Sequence, residues 1–348
     1  MNSHQRQRVA LIGCGFFSPN HIHAWMDLDE AELVAVCDND TERARQAAHL
    51  AGEVPFFTDA AEMLAAVTPD VVDIVTTAPS HPGLARLCAE YRTPAIIQKP
   101  LAPSFEEAVA LARIAQSSGI RMMVHENFRF QKPIRAVKQI LDAGEIGEPR
   151  YCSVGFRCGY DIYQGQPYLR DEERLVLMDI GVHVFDVARF LMGEITELSC
   201  RAQKVRADVR GEDMATALVG FANGAMGLVE ASWGSFLARD PFPETLISVE
   251  GTAGTVVLEQ GYQLSVRAGD EVSFRSVEPE PPTWAERPWH VTQDSVVETC
   301  RHWLDVVQGR AVLETSVADN LKTLALIEAS YLSAANRGEV TRVHNVTL

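Results

Sequence analysis

Val9-Ala10-Leu11-Ile12-Gly13-Cys14-Gly15-Phe16-Phe17-Ser18 reads as a buried strand running straight into a glycine turn and then a helix. Four apolar residues in a row suit a strand covered on both faces. The turn matches the G-x-G-x-x-G pattern of dinucleotide-binding loops, with Ser18 in place of the third glycine. The first glycine permits the tight turn, the second lets backbone amides approach a pyrophosphate, and the helix N-terminus behind them favours negative charge. Gly13, Gly15, Phe16, Phe17 and Ser18 are therefore candidates to contact a dinucleotide. Asp38 closes the next apolar run, Leu33–Cys37, about twenty residues further on, where a carboxylate binds the ribose 2′ and 3′ hydroxyls. It would repel a 2′-phosphate, so NAD is the expected cofactor; Arg43, close by, is the one feature that points towards NADP.

Outward from this turn, short apolar runs alternate with helical segments. Val71–Val75, Ala95–Ile97 and Arg121–Val124 continue the strand series. Ser104 with Glu107, and Asp59 with Glu62, are capping boxes that open helices, and Gly119 is placed to close one. This alternation predicts an α/β domain with a parallel, doubly wound sheet over residues 1–124. From residue 125 to 348 the pattern changes. After one helix, Pro133–Ala143, come strand-like runs joined by turns: Tyr151–Arg157, then Ala215–Phe221 turned at Asn223-Gly224 into Ala225–Ser232, then Leu246–Glu250 turned into Val256–Glu259. The expectation is an α+β C-terminal domain with a largely antiparallel open sheet, ending in a helix from about Ser316 to Asn336. Asp270–Trp289, rich in Pro and Glu, reads as a loop.

The chain has 348 residues, which favours two domains over one core, and a formal charge of −16, which opposes nucleic acid and anionic membrane as partners. Seven cysteines are dispersed without a C-x-x-C pair, as expected in a reducing cytoplasm. The polar start, Met1–Arg8, lacks the apolar core of a targeting signal, and no stretch reaches the length of a membrane span. His21 and His23 form an H-x-H pair, but no further ligands stand at a characteristic spacing, so a packing or capping role at the first helix is expected and no metal.

Two further features carry chemistry. Lys99, in Gln98-Lys99-Pro100, ends an apolar strand, where it would face the crevice in which ligands bind in such sheets. Asp179 and His183 stand at i, i+4 spacing in Asp179-Ile180-Gly181-Val182-His183, with Asp186 three residues on. A lysine to polarise an oxygen, a histidine to take its proton and an aspartate to orient the histidine are the groups needed to draw a hydride from a carbinol carbon. Either feature alone has an ordinary explanation: a solvent lysine, or an aspartate capping a helix beside a semi-buried histidine. Asn127 and Arg129, which follow a buried strand, can reach the same crevice, and Tyr160, Asp161, Gln164 and Tyr168 offer hydrogen bonds suited to a polyol. Trp289 and His290 are weaker candidates.

Taken in order, the glycine loop, Asp38, Gln98-Lys99-Pro100 and Asp179–His183 resemble the glucose-fructose oxidoreductase, inositol dehydrogenase and rhizopine-catabolism (Gfo/Idh/MocA) family, whose pattern has E-K-P where this chain has Gln98-Lys99-Pro100. The resemblance implies Lys99, Asp179 and His183 as catalytic residues, with Lys99 and His183 also holding substrate beside Arg129, Tyr160 and Asp161. It adds Gln98, Lys99 and Asn127 to the NAD contacts and implies a homodimer or homotetramer built through the open sheet. Gln98 departs from the pattern by removing a charge beside Lys99. His125-Glu126-Asn127-Phe128-Arg129, Gly165–Leu169 and Asp240–Thr245 are similar to a branch whose members oxidise the anomeric carbon of a branched pentose such as D-apiose to a lactone with NAD. Inositol or another cyclic polyol as substrate, and a non-catalytic nicotinamide-binding regulator, are the alternatives; the intact Lys99, Asp179 and His183 argue against the second.

Overall fold

The computed structural model describes residues 6–343, so the first residues of the Met1–Arg8 segment read for a targeting signal lie outside it. The chain forms two compact units. The first begins with β1 (Gln7–Ile12), α1 (Ser18–Met26), β2 (Ala31–Cys37), α2 (Thr41–Leu50), β3 (Phe56–Phe57), α3 (Ala60–Val67), β4 (Val71–Ile74), α4 (His81–Glu90), β5 (Ala95–Gln98), α5 (Phe105–Ser118) and β6 (Met122–His125). Its six strands are ordered β3-β2-β1-β4-β5-β6 and all pairs are parallel. This is the doubly wound order in which the chain reverses direction between β1 and β4, leaving a crevice at their carboxyl ends. Every residue of β4, β5 and β6 is buried, as strands covered on both faces must be. The helices start where the caps predict: Asp59 accepts from Glu62 N–H at 2.8 Å, and Ser104 accepts from Glu107 N–H at 3.2 Å.

The second unit starts at Phe128. It contains α6 (Lys132–Asp142), β7 (Pro149–Arg157), α7 (Val182–Met192), β8 (Ile195–Gln203), β9 (Met214–Phe221), β10 (Met226–Ser232), β11 (Leu246–Gly251), β12 (Gly254–Glu259), β13 (Gln263–Ala268) and β14 (Glu271–Ser276). The chain then enters α8 (His290–Val307) and α9 (Val317–Ala335) and ends its described part at β15 (Thr341–Arg342). The second sheet runs β14-β13-β12-β11-β7-β10-β9-β8-β15, antiparallel except for the β7–β10 pair. Burial alternates along β7, β9 and β11, so one face packs under helices and the other is open. Among the described residues no helix is long and apolar enough to cross a membrane.

Two expectations need correction. Part of the stretch expected as a loop, Asp270–Trp289, is strand: β14 pairs antiparallel with β13 from Glu271 to Ser276. Its alternation of Val272 and Phe274 is a period-2 signal that the neighbouring prolines masked, and all six residues are exposed on the sheet edge. A single cut after residue 124 also leaves out a return of the chain, because Gln293–Leu321 belongs to the first unit. The cause is the edge of β6. Val124 N–H donates to Thr315 O at 2.7 Å, Thr315 Oγ1 donates back to Val124 O at 2.8 Å, and Met123 bridges Ser316, covering backbone groups that an edge strand otherwise leaves bare.

Within the second unit a buried ion pair ties its first residues to α7. Arg129 donates through Nε and Nη2 to Asp186 at 2.7 and 2.6 Å, Thr323 Oγ1 of α9 donates to the same carboxylate at 3.2 Å, and Arg189 Nη1 lies 3.8 Å away. Asp186 is 1% exposed. Removing one partner of such a pair strands a buried charge. Arg129→Ala should therefore lower unfolding stability by about 3 kcal/mol, the low end of the range for broken buried pairs because Arg189 remains near; a urea midpoint equal to that of the wild type would contradict this.

Candidate active site

The glycine turn is shaped by contacts on one side and open space on the other. Gly13 has φ +100°, and a Cβ there would sit 2.7 Å from Thr76 Cγ2 and N. A Cβ on Gly15 would meet nothing within 4 Å, which leaves room for a ligand to reach the backbone. Ser18 takes the place of a third glycine by tucking in, 2% exposed, with Oγ donating to Gly15 O at 2.8 Å. Phe16 is exposed, and Phe17 packs edge-on against His21.

Asp38 fastens this turn to the end of β2. Its Oδ2 accepts Cys14 N–H at 2.7 Å and its Oδ1 accepts Asp40 N–H at 2.9 Å. Each carboxylate oxygen keeps a second lone pair, available to a ribose hydroxyl. Burial, and then the charge of Asp38, push the Cys14 thiol up to about 12, and Cys37 likewise; both stay neutral beside it. Arg43 lies on the first turn of α2 with Nε 3.6 Å from Asp40 Oδ2. The residues present fit a dinucleotide: an open backbone turn, a helix N-terminus and an oriented carboxylate at the switch point.

Lys99 follows the last residue of β5, is half-buried, and is joined to Pro100 by a cis peptide bond. Its backbone N–H donates to Gln98 Oε1 at 2.7 Å. Gln98 turns inward, 8% exposed, with Nε2 3.1 Å from His21 Nε2. His21 in turn meets Asp73 at 2.8 Å, and Trp25 Nε1 donates to the same Asp73 oxygen at 2.7 Å. Burial raises the Asp73 carboxyl, but His21, His125 and Trp25 together outweigh it and hold the group below its usual range. His21 thus has the packing role expected from sequence. Asn127 is buried, its Nδ2 donating to Ser295 Oγ at 2.7 Å.

In the second unit Asp179 lies in a wide π-helical turn, Leu177–Gly181, that leads directly into α7, and His183 is the second residue of that helix. Single π-turns of this kind concentrate at functional sites. Asp179 does not cap α7; its Oδ2 accepts Trp233 Nε1–H at 3.0 Å. The His183 ring, 3% exposed, stacks on Phe128 with centroids 3.9 Å apart and planes 6° from parallel, which holds the plane of the imidazole.

From Phe128 an aromatic wall continues through Phe156, Trp233 and Phe242 to Tyr160 and Trp289. Tyr160 is stacked on Phe242 at 3.9 Å and remains 39% exposed. Asp161 caps the short helical turn Ile162–Gln164, accepting Tyr163 N–H at 3.3 Å. Arg129, expected at the substrate, directs Nε and Nη2 at Asp186. Trp233, Phe128 and Phe242 were not singled out from sequence. Phe242 lies in the quoted Asp240–Thr245 stretch, whereas nothing local marks Trp233 as a partner of Asp179. The Tyr163 hydroxyl is buried without a hydrogen-bond partner, and burial followed by the charge of Asp213 pushes it up to about 12.

Family models match both parts of the chain: residues 7–126 fit the oxidoreductase family with NAD-binding Rossmann fold, and residues 134–257 fit the GFO/IDH/MocA C-terminal domain. The chain belongs to the GFO/IDH/MocA oxidoreductase family. It is 45% identical over 327 residues to a D-apiose dehydrogenase of Rhizobium rhizogenes, covering 94% of this chain and 95% of that protein. A scyllo-inositol 2-dehydrogenase (NAD(+)) of Bacillus subtilis is 30% identical over 260 residues, 72% of this chain and 73% of the relative. Among solved structures, an oxidoreductase from Agrobacterium radiobacter in complex with NAD+, L-tartaric acid and magnesium superposes with a TM-score of 0.95 at 43% identity, over 97% of this chain and 99% of that one.

NAD is the cofactor of this family member's Rossmann unit, and Asp38 is proposed to select it. Asp38→Ala should weaken NAD binding about 10- to 100-fold, the equivalent of losing a hydrogen bond to a charged group, and narrow the gap to NADP. Fluorescence titration with both dinucleotides checks this; an unchanged preference would remove Asp38 from the ribose site.

Proposed function

We propose that this enzyme oxidises the anomeric hydroxyl of a branched pentose, D-apiose, to the lactone with NAD. The observation that carries the reading is the identity of 45% to D-apiose dehydrogenase along nearly the whole chain, in a sequence that carries Lys99, Asp179 and His183. Bound NAD supplies the hydride acceptor. Lys99 binds the reacting hydroxyl oxygen through Nζ and stabilises the negative charge that develops there. His183 takes the hydroxyl proton as the carbon–hydrogen bond breaks with its electron pair. Asp179, held by Trp233, favours the imidazolium that results. The C–O bond becomes a carbonyl, which at the anomeric carbon of a ring is a lactone, and no covalent intermediate forms.

These three residues recognise only the reacting carbinol, so the surrounding groups choose the ring. Tyr160 and the aromatic wall are proposed to pack on the apolar face of the sugar, with Asp161 near its hydroxyls. The 30% relation to an inositol dehydrogenase supports a cyclic polyol as the competing substrate. On the same reading the enzyme acts in the cytoplasm, where free, dispersed cysteines suit the reducing conditions. It also assembles through the open sheet face, on which Leu218 and Met226 stand 52% and 55% exposed.

A panel of aldoses and inositols assayed by reduced-nicotinamide absorbance should show kcat/KM highest for D-apiose; a higher value for an inositol would transfer the assignment to polyols. His183→Asn should cut turnover by about 10²- to 10⁴-fold, the worth of a general base, while NAD affinity changes little. Near-normal turnover across the pH range would end its role as base. Sedimentation should give a dimer or tetramer at micromolar concentration, and a species of single-chain mass would refute assembly.

A further inference from the structure

The buried groups beneath Lys99 form a chain with a direction. Because Lys99 N–H donates to Gln98 Oε1 at 2.7 Å, the orientation of the Gln98 amide is settled: its oxygen faces Lys99 and its nitrogen faces His21. An amide nitrogen only donates, so His21 Nε2, 3.1 Å away, is the acceptor. The ring proton is then on Nδ1 and is given to Asp73 Oδ2 at 2.8 Å, a tautomer assigned from the bond pattern. Trp25 Nε1 supplies the second donor to that oxygen. Asp73 and His21 are wholly buried, and the imidazole is flanked by the rings of Phe17 at 5.5 Å and His125 at 4.3 Å. The chain of bonds links β4, the helix behind the glycine turn and the end of β5.

We propose that His21 is a positioning residue for Lys99: oriented by Asp73, it holds the Gln98 amide in the one orientation that fixes the Lys99 backbone. This rests on the reading that Lys99 touches the reacting hydroxyl. It also gives a reason for Gln98. A glutamate in its place could accept the Lys99 N–H but could not donate to His21 Nε2, so Asp73, His21 and Gln98 form a matched set. If His21 merely satisfied a buried carboxylate, its bond to Asp73 would be sufficient and its other nitrogen would not matter to turnover.

Two substitutions separate these roles. His21→Asn keeps a polar group near the Nδ1 position for Asp73 and loses the acceptor for Gln98; His21→Gln keeps an acceptor near the Nε2 position and loses the bond to Asp73. The relay predicts that kcat falls about 10- to 100-fold in His21→Asn, the cost of a lysine displaced by about an ångström or less, and that His21→Gln retains most of it. The melting temperature should fall further in His21→Gln, which takes a donor from the buried Asp73 carboxylate, so that loss of stability and loss of turnover run in opposite order in the two variants. Gln98→Glu should behave as His21→Asn does, with kcat lost and NAD affinity, measured by fluorescence titration, largely kept. Equal turnover in the two His21 variants, or a normal kcat in Gln98→Glu, would overturn the proposal. A readout independent of activity is the 15N spectrum of histidine-labelled protein, with His21 identified by its absence in His21→Gln. The relay requires a neutral ring protonated at Nδ1; a ring protonated at Nε2 overturns it. A wild-type protein that reduces no NAD with any sugar would refute the proposed function, while the tautomer would still decide the relay.

Discussion

A carboxylate in the middle of a fully buried strand is the constraint around which the cofactor-binding half of this molecule is arranged. Asp73 is 0% exposed on β4, between strands that carry almost nothing polar. Placing such a charge out of water costs several kcal/mol unless donors surround it. Two are supplied, the Trp25 indole and the His21 imidazole, both from α1. That helix must therefore sit over β4 in one rotation about its axis. Its first residues are the end of the glycine turn, so the requirement of Asp73 also fixes where the turn presents its amides. The remaining nitrogen of His21 then reaches the end of β5, where Gln98 and Lys99 lie. Cofactor turn and candidate catalytic lysine are thus built on the same buried charge.

What was legible in the sequence was local. The run Val9–Ile12 followed by two glycines has one physical interpretation, and Asp38, Asp59 and Ser104 announce themselves by spacing alone. The changes that escaped are contacts between distant residues. Nothing near His21 points to Asp73 or Gln98, 52 and 77 positions away, and an H-x-H pair looks the same whether it packs or binds. The return of Gln293–Leu321 to the first unit depends on the bare edge of β6, which exists only once the strand order is known. Arg129 shows the same limit: its place after a buried strand is plain in the sequence, but its ion pair with Asp186, 57 positions on, is not.

In the second unit the same division holds. Asp179 and His183 were visible as a spaced pair, but the wide turn that separates them, the Trp233 indole on Asp179 and the Phe128 ring under His183 come from packing. These contacts hold the Asp179 carboxylate and the His183 ring in place, as their proposed acid–base roles require. An imidazole stacked face to face on an aromatic ring has little freedom to tilt, and a carboxylate held by an indole N–H keeps a lone pair in a fixed direction.

The central claim is that a hydride leaves the anomeric carbon of a sugar for NAD. It is tested most directly by supplying D-apiose deuterated at C1 and analysing the nicotinamide by mass spectrometry. The account predicts reduced cofactor carrying one deuterium and a lactone carrying none. Reduced cofactor without the label, or label retained in the product, would contradict it.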